Sequence, residues 1–419
     1  MSSDSSSTSA RDYPRVVLVV LAVLATVLAA VLLPALGANG LVDSPAQSLF
    51  PGNSLDNATS GQGSGSGSDG APGGSGGSAA GGLGALNPSQ NTDVGGSLGA
   101  LSSQNTSTHM VVESTAPAYW RTGAYDGYTG SGWERTNPTD APYEEPISPD
   151  ALDGERVEYT VTLNRSATAL PTVWRPAALS GAGEVTVTEH RALRTTTRLP
   201  AGASYTGVSF RGERDPTVLR ATGRSYPSSV AERFTQLPSD TAPRLEDLTD
   251  NITADAPSHY TEAVAIEGWL ESTKGYSLNV SRTSDHVAET FVFEMDKGYC
   301  EYFATSMTVM LRTQGIPARY VVGYSTGEEV APDTYEVRGM NAHAWVEVYF
   351  EDVGWVKFDP TPGSARLQEE RAAMQGENPN STYAPQEEGS PGEQFTPGNE
   401  TTQTDPANET TTNETAGEF

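Results

Sequence analysis

Of 419 residues only 36% are hydrophobic, while 43 are Gly and 28 are Pro. The chain therefore exceeds one domain of about 100–200 residues but is too poor in apolar side chains to be packed throughout. Its one cysteine, Cys300, excludes an intrachain disulfide framework and a zinc site built from several thiolates. With 53 acidic against 25 basic residues and a net charge of −28, the field repels phosphates and excludes nucleic acid as a partner.

The N-terminal residues 1–14 read as cytoplasmic. The run VVLVVLAVLATVLAAVLL at 16–33 carries no charge, and at about 1.5 Å per residue it nearly matches a bilayer core. We expect one uncleaved transmembrane helix over 15–36, since the run is longer than a signal-peptide core of about 7–15 residues and exits through a poor cleavage sequence. Arg11 and Arg15 precede it and no Lys or Arg follows until Arg121, so the basic flank stays inside and the rest of the chain faces outward. From 37 to 108 the chain is a Gly/Ser-rich linker, with 16 glycines between Gly52 and Gly99, too little apolar area to fold. Residues 366–419 read as an acidic, solvated tail. The basic residues are 22 Arg and three Lys (Lys274, Lys297, Lys357), and this shortage of Lys amid so many carboxylates points to a salt-loving, archaeal host. Nine Asn-x-Ser/Thr sites, at Asn57, Asn105, Asn164, Asn251, Asn279, Asn380, Asn399, Asn408 and Asn413, suit an outward-facing glycoprotein.

Between linker and tail lie two ordered regions. Over 109–225, alternating runs at 157–163, 184–189 and 204–210 are separated by Gly, Pro and Asp, the pattern of a small all-β domain. Its aromatic opening, from Tyr119 through Trp133, reads as strand packing rather than a binding surface. Over 226–365 helical patterning comes first. Cys300, Phe303, Ala304, Met307, Met310 and Leu311 fall on one face of a helix that Gly315 ends. Cys300 then sits in the first turn, where free amide groups and the helix dipole favour thiolate. Period-two strands follow, including 343–350 and 355–362. If their turn centres near Asp352, Asp359 falls opposite Trp345, one diagonal step from His343.

A thiol at a helix start with a His and an Asp on neighbouring strands supplies the nucleophile, proton carrier and orienting carboxylate of acyl transfer. Spacing alone favours a plainer account: a small buried Cys, a strand-end His and a cap before Pro360. Arg319 and Glu347 read as structural ion pairs in the sheet. His109, His190, His259 and His286 have no companions at metal-ligand spacing, so no metal or other cofactor is expected.

The blocks Gly298-Tyr299-Cys300-Glu301-Tyr302-Phe303-Ala304, Gly315 to Tyr324, Asn341-Ala342-His343-Ala344-Trp345-Val346-Glu347 and Gly354-Trp355 to Pro362 resemble the transglutaminase-like superfamily in order and separation over roughly 260–363. The TyrAspGlyTyrThrGly segment of the β-rich region looks like the microbial membrane-anchored branch, although that branch usually has a bundle of membrane helices where this chain has one span. The resemblance implies an α+β fold with a papain-like core, the Cys helix packed on an antiparallel sheet. By position it implies Cys300 as nucleophile, His343 as general base and acid, and Asp359 holding the His343 tautomer. It implies a peptidase or acyltransferase acting on protein or peptide substrates at the cell surface. One oxyanion donor would be the N–H of Cys300, with Trp269, Tyr276 and Tyr299 open as the second. Two readings compete with it: a noncatalytic docking module for envelope assembly, and a glycosylated spacer whose working part is the linker and tail. Oligomeric state is left open by the sequence.

Overall fold

The computed structural model describes residues 86–95, 105–147, 154–280, 282–386 and 388–392. The apolar run at 16–33, most of the Gly-rich linker and residues 393–419 lie outside them. Among the described residues no helix is long and apolar enough to cross a membrane.

The first half is all strand: β1 (Asn91–Asp93), β2 (Thr108–Ser114), β3 (Trp120–Tyr125), β4 (Gly127–Tyr128), β5 (Gly132–Glu134), β6 (Asp140–Pro142), β7 (Arg156–Leu163), β8 (Ala167–Leu170), β9 (Pro176–Ser180), β10 (Val185–Thr188), β11 (Leu193–Leu199) and β12 (Ser204–Phe210). Helices α1 (Pro216–Ala221), α2 (Ser228–Phe234), α3 (Pro243–Thr253) and α4 (His259–Thr273) follow, then β13 (Gly275–Tyr276), α5 (Val287–Glu294), β14 (Lys297–Gly298) and α6 (Cys300–Thr313). The chain continues through β15 (Ala318–Tyr324), β16 (Glu328–Ala331), β17 (Thr334–Arg338), β18 (Ala342–Phe350), β19 (Gly354–Phe358) and α7 (Gly363–Glu377).

The two regions expected as successive domains are interlocked. β16 and β17, from the second, extend the β-rich sheet in the order β16-β17-β2-β7-β12-β9. In exchange β3, from the first, closes the sheet β19-β18-β15-β3. The boundary near 225 is thus a boundary in sequence only, because strand pairing joins residues some 200 apart, such as Tyr320 and Tyr125. β7, with burial alternating along ArgValGluTyrThrValThrLeu, has the period-two pattern read from sequence.

Two expectations about the flanks are corrected. The linker was expected to run to 108, yet β1 pairs with β5 and Leu86 and Val94 are buried; a few apolar residues in a Gly-rich stretch suffice to add a strand to an existing edge. The solvated tail was expected from Arg366, yet α7 runs to Glu377, and Arg366, Glu370, Tyr383 and Ser390 are buried. Arg366 and Glu370 pair within the helix, while Tyr383 and Ser390 reach Asn341 and Glu267 across the fold, which a composition count does not register.

The core forms around α6, buried from Cys300 through Arg312. Sequence periodicity gave it one apolar face, but it is enclosed by α3, α4 and α5 on one side and β15 and β18 on the other. Two of its buried threonines are hydrogen-bonded: Thr308 Oγ1 donates to the Ala304 carbonyl, and Trp133 Nε1 donates to Thr305 Oγ1 at 2.9 Å. Trp133 also stacks on Tyr320, centroids 5.3 Å apart. Truncating such a buried Trp to Ala costs about 3–5 kcal/mol.

Candidate active site

Cys300 is the first residue of α6, with Tyr299 at the N-cap. Its amide lies in the first turn, where N–H groups lack intrahelical acceptors. The thiol is 1% exposed, and its sulfur accepts the backbone N–H of Ala344 on β18. This contradicts the expected thiolate. Burial pushes the thiol up to about 12, the adjacent Glu301 carboxylate adds to the rise, and the Ala344 N–H opposes it. The loss of solvation outweighs the helix terminus here, although the Arg366 charge also opposes the rise.

His343 and Asp359 come from neighbouring strands. β18 pairs with β19 so that Val346 faces Phe358 and Tyr349 faces Trp355, which sets the next residue, Asp359, level with Trp345. That is the register read from the sequence. His343 Nε2 and Asp359 Oδ2 are 2.7 Å apart. Burial alone would raise the Asp359 carboxyl, but the charge of His343, its hydrogen bond, Lys357 and Arg366 together hold it well below the usual carboxylate range. The Thr361 N–H donates to Asp359 Oδ1 at 3.2 Å. Ala344, which bonds the sulfur, immediately follows His343, and Asp359 lies close enough to act electrostatically on the thiol.

Gly323 shows how tightly this end is built. It pairs with His343 across the β15–β18 ladder, and a Cβ there would meet the Trp120 carbonyl at 2.2 Å and the Trp345 ring at 2.7 Å. Only glycine lets β3 and the indole close on the strand beside His343.

Tyr119 was not anticipated as a site residue. Its hydroxyl donates to Asp359 Oδ2 at 2.8 Å, its ring stands edge-on to His343 at 5.6 Å, and Lys357 Nζ lies 3.9 Å from its ring centroid. The aromatic run at 119–133 therefore does more than pack. Nothing local in the sequence marks this, because Tyr119 reaches Asp359 only once β3 has paired with β15.

Arg319 and Glu347 form a buried pair with Arg319 Nε 2.6 Å from Glu347 Oε2, and Arg121 Nε, unforeseen as a third member, lies 3.0 Å from Oε1. Of the open candidates for a second oxyanion donor, the hydroxyls of Tyr276 and Tyr299 are close enough to interact electrostatically with Cys300. His190, read as lacking companions, has them in space: ligand atoms of Asp126, Glu189 and His190 lie within 4.8 Å of one another. Arg233 bonds Asp126 and Arg135 bonds Glu189, so guanidinium groups already supply the positive charge these carboxylates require. Desolvation lowers the His190 pKa to about 4, so the ring is neutral at pH 7.

Residues 246–360 match the transglutaminase-like superfamily, and residues 6–216 match the family described as the TgpA N-terminal domain. Over 154 residues the chain is 35% identical to the uncharacterized protein YebA of Bacillus subtilis, covering 35% of this chain and 21% of that one. It is also 32% identical, over 154 residues, to a protein-glutamine gamma-glutamyltransferase of Pseudomonas aeruginosa, covering 36% of this chain and 23% of that one. The matched stretch is thus about a fifth of the length of these two relatives. In fold it is similar to the periplasmic domain of TgpA from Pseudomonas aeruginosa, with a TM-score of 0.56 at 21% identity over 69% of this chain and 98% of that domain.

Proposed function

The chain belongs to the transglutaminase-like superfamily and carries a TgpA-type N-terminal domain, and from that premise we propose that it is a membrane-anchored, outward-facing thiol enzyme acting on protein amide bonds. The observation that carries the reading is the pairing of His343 Nε2 with Asp359 at 2.7 Å, beside a cysteine sulfur held at a helix start by the N–H of Ala344.

With Nε2 committed to Asp359, Nδ1 is the ring nitrogen that takes the Cys300 proton. The thiolate then attacks the amide carbonyl, and the Cys300 N–H supports the developing oxyanion. The imidazolium returns its proton to the departing amine, leaving a thioester on Cys300. Water releases an acid; a primary amine gives a new amide. Asp359, ionised through this cycle, fixes the tautomer and offsets the imidazolium charge. The Pseudomonas aeruginosa relative, named for glutamine gamma-glutamyl transfer, makes side-chain amides of surface proteins the first substrates to try. The apolar run at 16–33 supplies the anchor in this reading.

Exchanging Cys300 for Ala abolishes both hydrolysis and incorporation of a fluorescent primary amine into a glutamine-bearing protein, with the melting temperature little changed. Activity retained by that variant would eliminate the proposal in favour of a noncatalytic docking module.

A further inference from the structure

The segment after α7 crosses the site. The Tyr383 hydroxyl donates to Glu370 at 3.1 Å and accepts from Asn341. Pro385 bridges to Glu328 on the β16 edge, and the Gln386 N–H donates to the Gly327 carbonyl at 3.2 Å. Farther on, the segment reaches the catalytic end of β19. Ser390 Oγ accepts the Asp359 N–H at 2.9 Å and donates to Glu267, and the Tyr260 hydroxyl donates to the Pro391 carbonyl at 2.7 Å.

Between these anchors Glu388, its side chain 13% exposed, lines a pocket together with Tyr119, Arg211, Arg214 and Lys357, with Glu213 and Glu347 also in its wall. Arg214 bonds its carboxylate and also the Gly389 carbonyl, Lys357 Nζ bonds its main-chain oxygen, and the Tyr119 N–H donates to the carboxylate. In a chain of net charge −28 with only three Lys, this pocket gathers one of those Lys and three Arg, of which one, Arg121, is paired with Glu347. It is also joined to the catalytic group: Tyr119 gives its N–H to Glu388 and its O–H to Asp359, and Lys357 lies two residues before Asp359. A carboxylate-shaped recess of cations and a backbone N–H is how proteins select an acidic side chain.

We infer that Arg214, Lys357, Arg211 and the Tyr119 N–H form a carboxylate subsite of the substrate cleft, which in this chain Glu388 fills in place of an acidic residue of the peptide substrate. The inference rests on the proposed thiol chemistry for the word substrate, and it names the class: an extended segment with a Glu or Asp near the scissile or acceptor amide. The segment 383–392, held to the Asp359 N–H through Ser390, then competes with substrate from within the same chain.

The test reads access to Cys300 rather than turnover. The full chain, its Glu388→Gln variant and its Arg214→Gln variant are treated with iodoacetamide, and alkylation of Cys300 is followed by mass spectrometry. Both variants are expected to react at least about tenfold faster than the unaltered chain, since each releases the segment from a different side. A synthetic peptide of residues 385–392 is expected to slow alkylation of the Glu388→Gln variant, and the same peptide with Gln for Glu388 is expected not to. Equal alkylation rates in all three chains, or equal protection by the two peptides, would overturn the subsite. Faster alkylation without any acyl transfer would leave the subsite standing and remove the enzymatic reading.

Discussion

Replacing Tyr119 with Phe removes one hydroxyl from a buried cluster and leaves the ring that packs against His343. The lost bond, 2.8 Å to Asp359 Oδ2, runs to an ionised acceptor, a class that contributes about 1.5–3 kcal/mol. Asp359 keeps His343 on the same oxygen and Thr361 on the other, so the lower end applies. If that energy is spent holding the imidazole in place, kcat/KM falls about tenfold, at about 1.4 kcal/mol per decade, with KM little affected. The carboxylate, now short of one donor, also titrates higher. A carboxylate with a depressed folded pKa contributes stability that is present above its unfolded value, about 3.9, and is lost as pH falls through the folded value. In the Phe variant this loss begins at higher pH. Steady-state amine incorporation together with acid-unfolding curves provide the assay. A kcat/KM within twofold of the unaltered enzyme and an unmoved acid midpoint would refute the role given to Tyr119.

Two further perturbations probe the surroundings. Burial raises the Glu301 carboxyl to about 7 despite the Gly95 N–H on its Oε2. Its folded pKa lies above the unfolded one, so its contribution is full below about pH 4.3 and is lost as pH rises through about 7. Glu301→Gln is therefore expected to be more stable by about 3 kcal/mol at pH 8 and nearly neutral at pH 4; a difference independent of pH in thermal melts would contradict this. Glu347→Ala leaves the Arg121 and Arg319 guanidiniums buried without their shared carboxylate, which is expected to destabilise by about 3–5 kcal/mol in denaturant titration. A change under 1 kcal/mol would mean that water reaches these groups in the folded chain.

What could be read from the sequence was local. The spacing Cys300, Phe303, Ala304, Met307 found α6 and placed the thiol at its start, and the turn at Asp352 set the β18–β19 register, because both depend on residues within one or two elements. Tyr119 and Arg121 were legible only as packing, since their roles arise when β3 inserts beside β15, a pairing across about 200 residues with no local signature. The tail misled for a related reason: residues 366–392 are polar, and their order comes from Tyr383, Glu388 and Ser390 reaching Asn341, Arg214 and Glu267, while Arg366 and Glu370 pair within α7. The rise in the thiol's pKa likewise comes from burial, which the local sequence does not display. A helix start argues for thiolate, but desolvation by segments remote in sequence outweighs the helix dipole.

The most direct measurement is capture of the acyl-enzyme. The full chain is incubated with a glutamine-containing peptide bearing an acidic neighbour, quenched in acid, and weighed intact before and after digestion. The account predicts an adduct equal to the peptide less one ammonia, attached at Cys300 and absent when His343 is replaced by Ala. An adduct on another residue, or none under conditions where the peptide is turned over, would contradict it.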